Sequence, residues 1–233
     1  MASLDELKER VWEANMELPR RNLVVYTFGN VSGIDRERGV IAIKPSGVPY
    51  EELTPDSMAL VDLDNRVLDD GLNPSSDTKT HTVLYRHFPA IGGIVHTHSP
   101  YATAWAQALK PIPCLGTTHA DHVPGDIPCT AVMSDEQIER DYEEETGLQI
   151  IERFRELSYR DVEMVLVACH GPFTWGSTPE KAVYNSVMLE ELAKMAFFTT
   201  LIDPSAQPIK DTLLMKHFRR KHGAGATYGQ IKS

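Results

Sequence analysis

The residues with the most definite chemistry are three histidines. His96-Thr97-His98 follows the apolar run Ile91 to Val95, and the two-residue repeat of a strand puts both imidazoles on one face with Thr97 opposed. A second apolar run, Val165 to Cys169, also ends in a histidine, His170, ahead of Gly171-Pro172. Two strand ends can therefore bring three imidazoles to one point, the ligand count of a catalytic zinc that keeps its fourth position open. The competing reading is polar residues where strands surface, and a His-x-His pair alone does not separate the two.

Three turns carry groups suited to an anion. Asn73-Pro74-Ser75-Ser76-Asp77-Thr78 sets hydroxyls and a carboxylate at a predicted helix start, where free N–H groups and the helix dipole favour negative charge. The same segment also reads as an ordinary cap, with Ser76 or Asp77 bonding first-turn amides. Gly29-Asn30-Val31-Ser32 and Lys44-Pro45-Ser46-Gly47 offer unhindered amides, hydroxyls and one ammonium. Read alone, each is a turn.

The elements that must position these groups alternate in type. Ser3 with Glu6 makes a capping box ahead of Leu4, Leu7, Val11 and Leu18 at helical spacing. Leu23 to Phe28 and Val40 to Ile43 read as neighbouring strands separated by glycines. Thr54-Pro55-Asp56 starts a short helix before the apolar run Ala59 to Leu63, with a turn at Asp64-Asn65. Thr78 to Phe88 reads as a helix, Ile91 to Val95 as a buried strand, and Ser99-Pro100 as the next helix start. Ser134 with Gln137 caps an acidic helix, Met164 to Cys169 is an apolar strand, and Thr178-Pro179-Glu180 opens a helix reaching about Ile202. A last helix covers Asp211 to Lys221, its basic cluster favouring a helix C-terminus. Met188, Leu189, Leu192, Met195, Ala196 and Phe197 form an apolar face expected in the core. Cys169, embedded in an apolar strand, is expected to pack. The class is α/β, with helices layered on a central sheet.

Composition narrows the function. The 233 residues are 42% hydrophobic and 24% charged, a balance that buries one sizeable core and excludes disorder. Lys and Arg number 23 against 33 Asp and Glu, and the net charge of −10 repels nucleic-acid phosphates and anionic membranes. Cys114, Cys129 and Cys169 form no Cys-x-x-Cys pair, so neither a disulfide framework nor a thiolate zinc knot is expected. The first 20 residues are interrupted by charges and hold no apolar block. A cytoplasmic protein of one domain spanning residues 1–233 is the expectation.

Together the motifs are specific. Phe28-Gly29-Asn30-Val31-Ser32, Lys44-Pro45-Ser46-Gly47, Pro74-Ser75-Ser76-Asp77, Gly93-Ile94-Val95-His96-Thr97-His98-Ser99 and His170-Gly171-Pro172 stand in the order and spacing of the class II sugar-phosphate aldolase and epimerase family. The resemblance extends from about Leu4 to Gln230 and includes Thr117-Thr118-His119-Ala120-Asp121 and the tail His222-Gly223-Ala224 through Tyr228-Gly229-Gln230. It implies a three-layer α/β/α domain with a largely antiparallel sheet, assembled as a homotetramer with active sites between subunits. It implies zinc on His96, His98 and His170, replaceable by manganese or cobalt, with Asp77 beside the metal. Gly29, Asn30, Ser46, Gly47, Ser75 and Ser76 would hold a phosphorylated sugar, with Lys44 nearby. Related aldolases carry glutamate at position 77, so Asp77 favours the epimerase branch. Two departures stand out: His122-Val123-Pro124, where relatives often carry aromatics, and Ala131, where they often carry arginine.

The chemistry this implies is inversion at C4 of a 2-ketopentose 5-phosphate. That hydrogen is β to the carbonyl, so its removal leaves a carbanion that nothing delocalises. Breaking C3–C4 instead leaves an enediolate and glycolaldehyde phosphate, and re-addition to the other face of the rotated aldehyde inverts C4. The C4 oxygen points oppositely in the two epimers, so a proton donor or acceptor is needed on each side. The resemblance assigns these to Asp121 and Tyr228 of a neighbouring subunit, with His217 near them. Without it, Asp121 reads as a salt-bridged loop carboxylate and Tyr228 as a tail aromatic.

Overall fold

In the computed structural model, which describes residues 3–222, the first helix forms as its cap dictates. Ser3 Oγ accepts from the Glu6 amide at 3.1 Å while Ser3 N–H donates to the Glu6 carboxylate at 2.9 Å, closing both ends of the capping box. Helix α1 (Leu4–Arg20) then buries Leu7, Val11 and Leu18 along one face.

Six strands form one sheet: β1 (Asn30–Asp35), β2 (Val40–Ile43), β3 (Ala59–Asp62), β4 (Gly93–His96), β5 (Met164–Leu166) and β6 (Pro172–Gly176). Their order is β3-β2-β1-β4-β6-β5, and every neighbouring pair is antiparallel. The pleat sends alternate residues to opposite faces. Val31, Val40, Ala42, Leu60 and Val95 pack against α1 and the first turns of α6 (Pro179–Ile202). Ile41, Val61 and Ile94 pack on the other side, against α2 (Thr78–His87), α3 (Pro100–Gln107) and α5 (Asp135–Arg153). Helices thus cover both faces of an antiparallel sheet, the three-layer α/β/α architecture the sequence predicts. Two further helices, α4 (Thr117–Ala120) and α7 (Asp211–His222), contact each other.

Several local expectations are corrected. Leu23 to Phe28 is a turn, because Asn22 and Tyr26 take left-handed conformations that break an extended ladder. Its apolar residues Val25, Tyr26 and Phe28 lie exposed, and the strand begins at Asn30. The Met164 to Cys169 run pairs only through Leu166, and Cys169 is exposed at φ +61° in the turn that follows. The sequence reading missed β6, whose five residues are all buried. Its proline comes first, the position in a strand that tolerates one. The α6 face also divides: Leu189, Leu192 and Ala196 are core, whereas Met195 and Phe197 are exposed.

Burial leaves two histidines with a predictable effect on stability. Burial pushes His81 down to about 3 and His119 down to about 4, against about 6.5 in an unfolded chain. Both stay neutral in the fold while the unfolded state takes up protons. Stability is therefore intact above pH 6.5 and falls with pH below it, each histidine contributing a slope approaching ~1.4 kcal/mol per pH unit. Urea unfolding of metal-loaded protein should show this loss between pH 6.5 and 4, and His119→Asn should make it shallower while leaving the His81 share. A profile level across that window contradicts the assignment.

Candidate metal centre

Strand β4 delivers the first histidine. Its glycine start is enforced by packing, since a Cβ on Gly93 would lie 2.4 Å from the backbone of Pro179. The strand ends at His96, and two residues on His98 comes back to the same side, its ring beside that of His96, while Thr97 is buried. His170 sits in the tight turn joining β5 to β6, closed by Val167 N–H to Gly171 O at 2.9 Å. It is a turn residue rather than a strand end, and the three imidazoles still converge. One nitrogen from each lies within 4.8 Å of the others, and His96 Nε2 and His98 Nε2 are 3.1 Å apart.

The surroundings orient these rings for coordination. His96 Nδ1 is 3.0 Å from Pro172 O, a contact that puts the proton on Nδ1 and leaves Nε2 bare. The His96 ring stacks on Phe173 at 4.2 Å, and Phe28 lies nearly parallel to His98 at 6.1 Å. His170 Nδ1 is buried with no hydrogen-bond partner among the described residues. Burial, reinforced by the neighbouring imidazoles, pushes His170 down to about 3 and lowers His98. Three imidazoles converging on one point, one of them with a buried nitrogen that has no partner among the described residues, fit a divalent cation.

Asp77 and Asn30 complete one wall. Asn30 pairs with His96 across β1 and β4, and its Nδ2 donates to Asp77 Oδ2 at 2.6 Å and to Ser75 Oγ at 3.1 Å. Asp77 stands at the N-cap of α2 yet makes no side-chain cap bond. The ordinary-cap reading of Asp77 therefore fails, and its carboxylate faces the imidazoles instead. Burial alone would raise this carboxyl, but His96, His81 and the Asn30 bond bring it below its usual value.

The three histidines, Asp77 and Asn30 line one cavity of about 400 Å³, together with Gly29, Lys44, Ser46, Gly47, Ser75 and Ser76. Gly29, at φ +79°, has no room for a side chain: a Cβ would meet Val24 at 2.6 Å and His96 O at 3.1 Å. Lys44 is buried, and its ammonium reaches the carbonyls of Val48, Thr27 and Pro45 at 2.9, 3.3 and 3.4 Å. Burial pushes it down to about 8.

Tyr142 and Glu143 also line the cavity and were missed by the sequence reading. They reach it because α5 breaks at Asp141, at φ −168° and ψ 90°. Asp141 is ion-paired with Lys79 of α2 and accepts from Glu144 N–H at 3.3 Å. The Tyr142 ring lies 5.8 Å from that of His170.

Asp121 lies elsewhere, among groups of α7. Arg220 donates to both its oxygens, Nε at 3.1 Å and Nη2 at 2.8 Å, and His217 Nδ1 is 3.0 Å from Oδ1. Lys221 stands 3.7 Å away. Burial works against ionisation here, but the Arg220 and His217 bonds hold the carboxyl below its usual range. The basic cluster of α7 thus engages a specific carboxylate, beyond favouring its own helix end. Tyr228 lies outside the described residues. A larger groove of about 700 Å³ between α1 and α6 contains none of these groups.

The chain is similar to known proteins over nearly its whole length. The chain is 53% identical over 227 residues to L-ribulose-5-phosphate 4-epimerase UlaF of Salmonella paratyphi C (strain RKS4594), covering 97% of this chain and all of the relative. The corresponding UlaF of Salmonella typhi is 52% identical over the same length. Among solved structures, an L-fuculose 1-phosphate aldolase superposes with a TM-score of 0.78 at 23% identity, covering 94% of this chain and 97% of that one. YgbL of Klebsiella pneumoniae, a putative aldolase/epimerase/decarboxylase, gives 0.71 at 26%, covering 93% and 99%. Residues 9–197 match the Class II Aldolase and Adducin N-terminal domain family. With most of its length matched and its three histidines converging, the chain belongs to that family.

Proposed function

We propose that the chain is an epimerase interconverting L-ribulose 5-phosphate and D-xylulose 5-phosphate at C4. The observation that carries this reading is the cavity itself, in which three converging imidazole nitrogens, the Asp77 carboxylate and the glycine- and serine-bearing turns meet. The full-length relative at 53% identity supports the substrate and the reaction. Asp77 favours an epimerase over a ketose-1-phosphate aldolase, and the intact histidines argue against an adducin-head-like binding module.

His96, His98 and His170 would hold the metal, with Asp77 beside it. Zinc is the ion we assign, and manganese or cobalt suit the same ligands. When bound, such an ion supplies Lewis-acid stabilisation of the charge left on the C2 and C3 oxygens by C3–C4 cleavage. Gly29, Asn30, Ser46, Gly47, Ser75 and Ser76 would grip the phosphate, with the Lys44 charge beneath. Anchoring that end keeps glycolaldehyde phosphate in place while its aldehyde turns.

Proton transfer at C4 falls to Asp121 and Tyr228. Among the described residues, α4 and α7 contribute nothing to the cavity lining, so we assign these groups to a neighbouring copy. Exposed Phe28 lines the cavity, with exposed Val25 and Tyr26 just before it in sequence; these support such a contact, and a homotetramer is the assembly we assign. Tyr228→Phe should leave metal content unchanged and slow turnover by about 10²-fold or more, read by steady-state rates beside metal analysis; wild-type rates would remove Tyr228 from the site. No membrane or nucleic-acid partner is proposed, and among the described residues no helix is long and apolar enough to cross a membrane. One domain and a reducing cytoplasm suit a chain with three free cysteines.

The test is to incubate metal-loaded protein with L-ribulose 5-phosphate and follow the sugar phosphates by NMR. D-xylulose 5-phosphate should form, and chelation should stop it. Accumulating dihydroxyacetone and glycolaldehyde phosphate would indicate an aldolase instead, and no reaction at saturating zinc would exclude the epimerase.

A further inference from the structure

Tyr50 touches none of the reacting groups, yet it ties together the two loops that wall the phosphate end of the cavity. It is 3% exposed and follows the Lys44 to Gly47 turn in sequence. Its single hydroxyl proton is shared between Gly29 O at 3.0 Å and Phe28 O at 3.1 Å. Its ring lies under the Lys44 ammonium, 4.9 Å from the centroid, a cation–π contact strengthened by desolvation. Lys44 in turn reaches Thr27 O on the first loop and Pro45 O and Val48 O on the second. Three successive carbonyls, Thr27, Phe28 and Gly29, are therefore drawn inward onto one Tyr–Lys pair.

That has a consequence for the opposite side of the same peptides. A trans peptide points its N–H away from its C=O. Fixing Phe28 O toward Tyr50 turns the Gly29 N–H the other way, at a residue that lines the cavity. The Lys44 contacts fix the spacing between this loop and the Ser46-Gly47 turn. An oxyanion cradle works only if its donors are held before the ligand arrives.

We infer that Tyr50 is a positioning residue for phosphate recognition, holding the 27–29 and 45–48 loops at the separation that fits a phosphate monoester. This rests on the proposed sugar-phosphate reading of the cavity. The hydroxyl acts on binding of the phosphate end, and the carbonyls it holds belong to Phe28 and Gly29 rather than to any of the three histidines.

The test compares zinc-loaded wild type with Tyr50→Phe, which keeps the ring and its contact with Lys44. Binding of inorganic phosphate is measured by calorimetry, alongside KM and kcat for L-ribulose 5-phosphate, zinc affinity and thermal midpoint. One buried hydrogen bond corresponds to about a three- to tenfold change in affinity. The expected result is weaker phosphate binding and higher KM by that factor, with kcat and zinc affinity within about twofold of wild type. Equal phosphate affinity in the two proteins overturns the inference while leaving the cavity reading intact. So does a joint fall in kcat, zinc affinity and thermal midpoint, the mark of a general packing defect. Failure of the wild type itself to bind phosphate overturns the cradle reading and the inference with it.

Discussion

His96→Asn is expected to cost the protein its metal and its turnover together. Asparagine is the informative replacement because its amide can take over the bond that His96 Nδ1 makes to Pro172 O, while nothing replaces Nε2. The site falls from three imidazoles to two. Even partners one shell further out are worth about 10- to 100-fold in metal affinity, so a lost ligand should cost roughly 100-fold or more. The loss of charge stabilisation at the cleaving bond, worth several kcal/mol, should lower kcat/KM by about 10³-fold or more. Metal analysis after dialysis and steady-state kinetics read the two effects. Full zinc content with undiminished turnover would remove His96 from the mechanism.

Asp121→Asn should do the reverse, sparing the metal and lowering kcat by about 10²- to 10⁴-fold, the usual worth of a positioned acid or base. Asparagine preserves the size of the side chain and can still accept from Arg220, so the loss reads the carboxylate charge. Because Asp121 caps the C-terminal end of α4 beside Arg220 and His217, away from the imidazole cavity, the two variants should complement. Unfolded together and reassembled, His96→Asn and Asp121→Asn chains would form mixed tetramers in which about a quarter of the intersubunit sites carry both native residues. Recovery of activity toward that fraction is the expected outcome. A mixture as inactive as its parts would place Asp121 outside the neighbouring site.

The fold was legible where a local signal is strong enough to decide it. Thr178-Pro179 fixed the start of α6, and the capping boxes at Ser3 and Ser134 fixed α1 and α5. His-x-His after an apolar run was enough to put two imidazoles on one face. What escaped the sequence depends on contacts between distant segments. The break in α5 that delivers Tyr142 and Glu143 is tied to Lys79 of α2, and no feature of the acidic run around it marks the position. Asp121 and Arg220 are 99 residues apart, so their bidentate pairing had no spacing to announce it. The Leu23 to Phe28 run resembled a strand in composition and is instead irregular, with Leu23 in the core and Val25, Tyr26 and the cavity-lining Phe28 exposed.

The most direct test of the account is to run the epimerisation in D₂O with zinc-loaded protein and examine C4 of the product by NMR. Cleavage and re-addition of C3–C4 never breaks the C4–H bond, so D-xylulose 5-phosphate should keep protium at C4, and a chelated control should yield no product. Deuterium at C4 would mean that the proton itself is removed, and would contradict bond cleavage in the cavity of His96, His98 and His170.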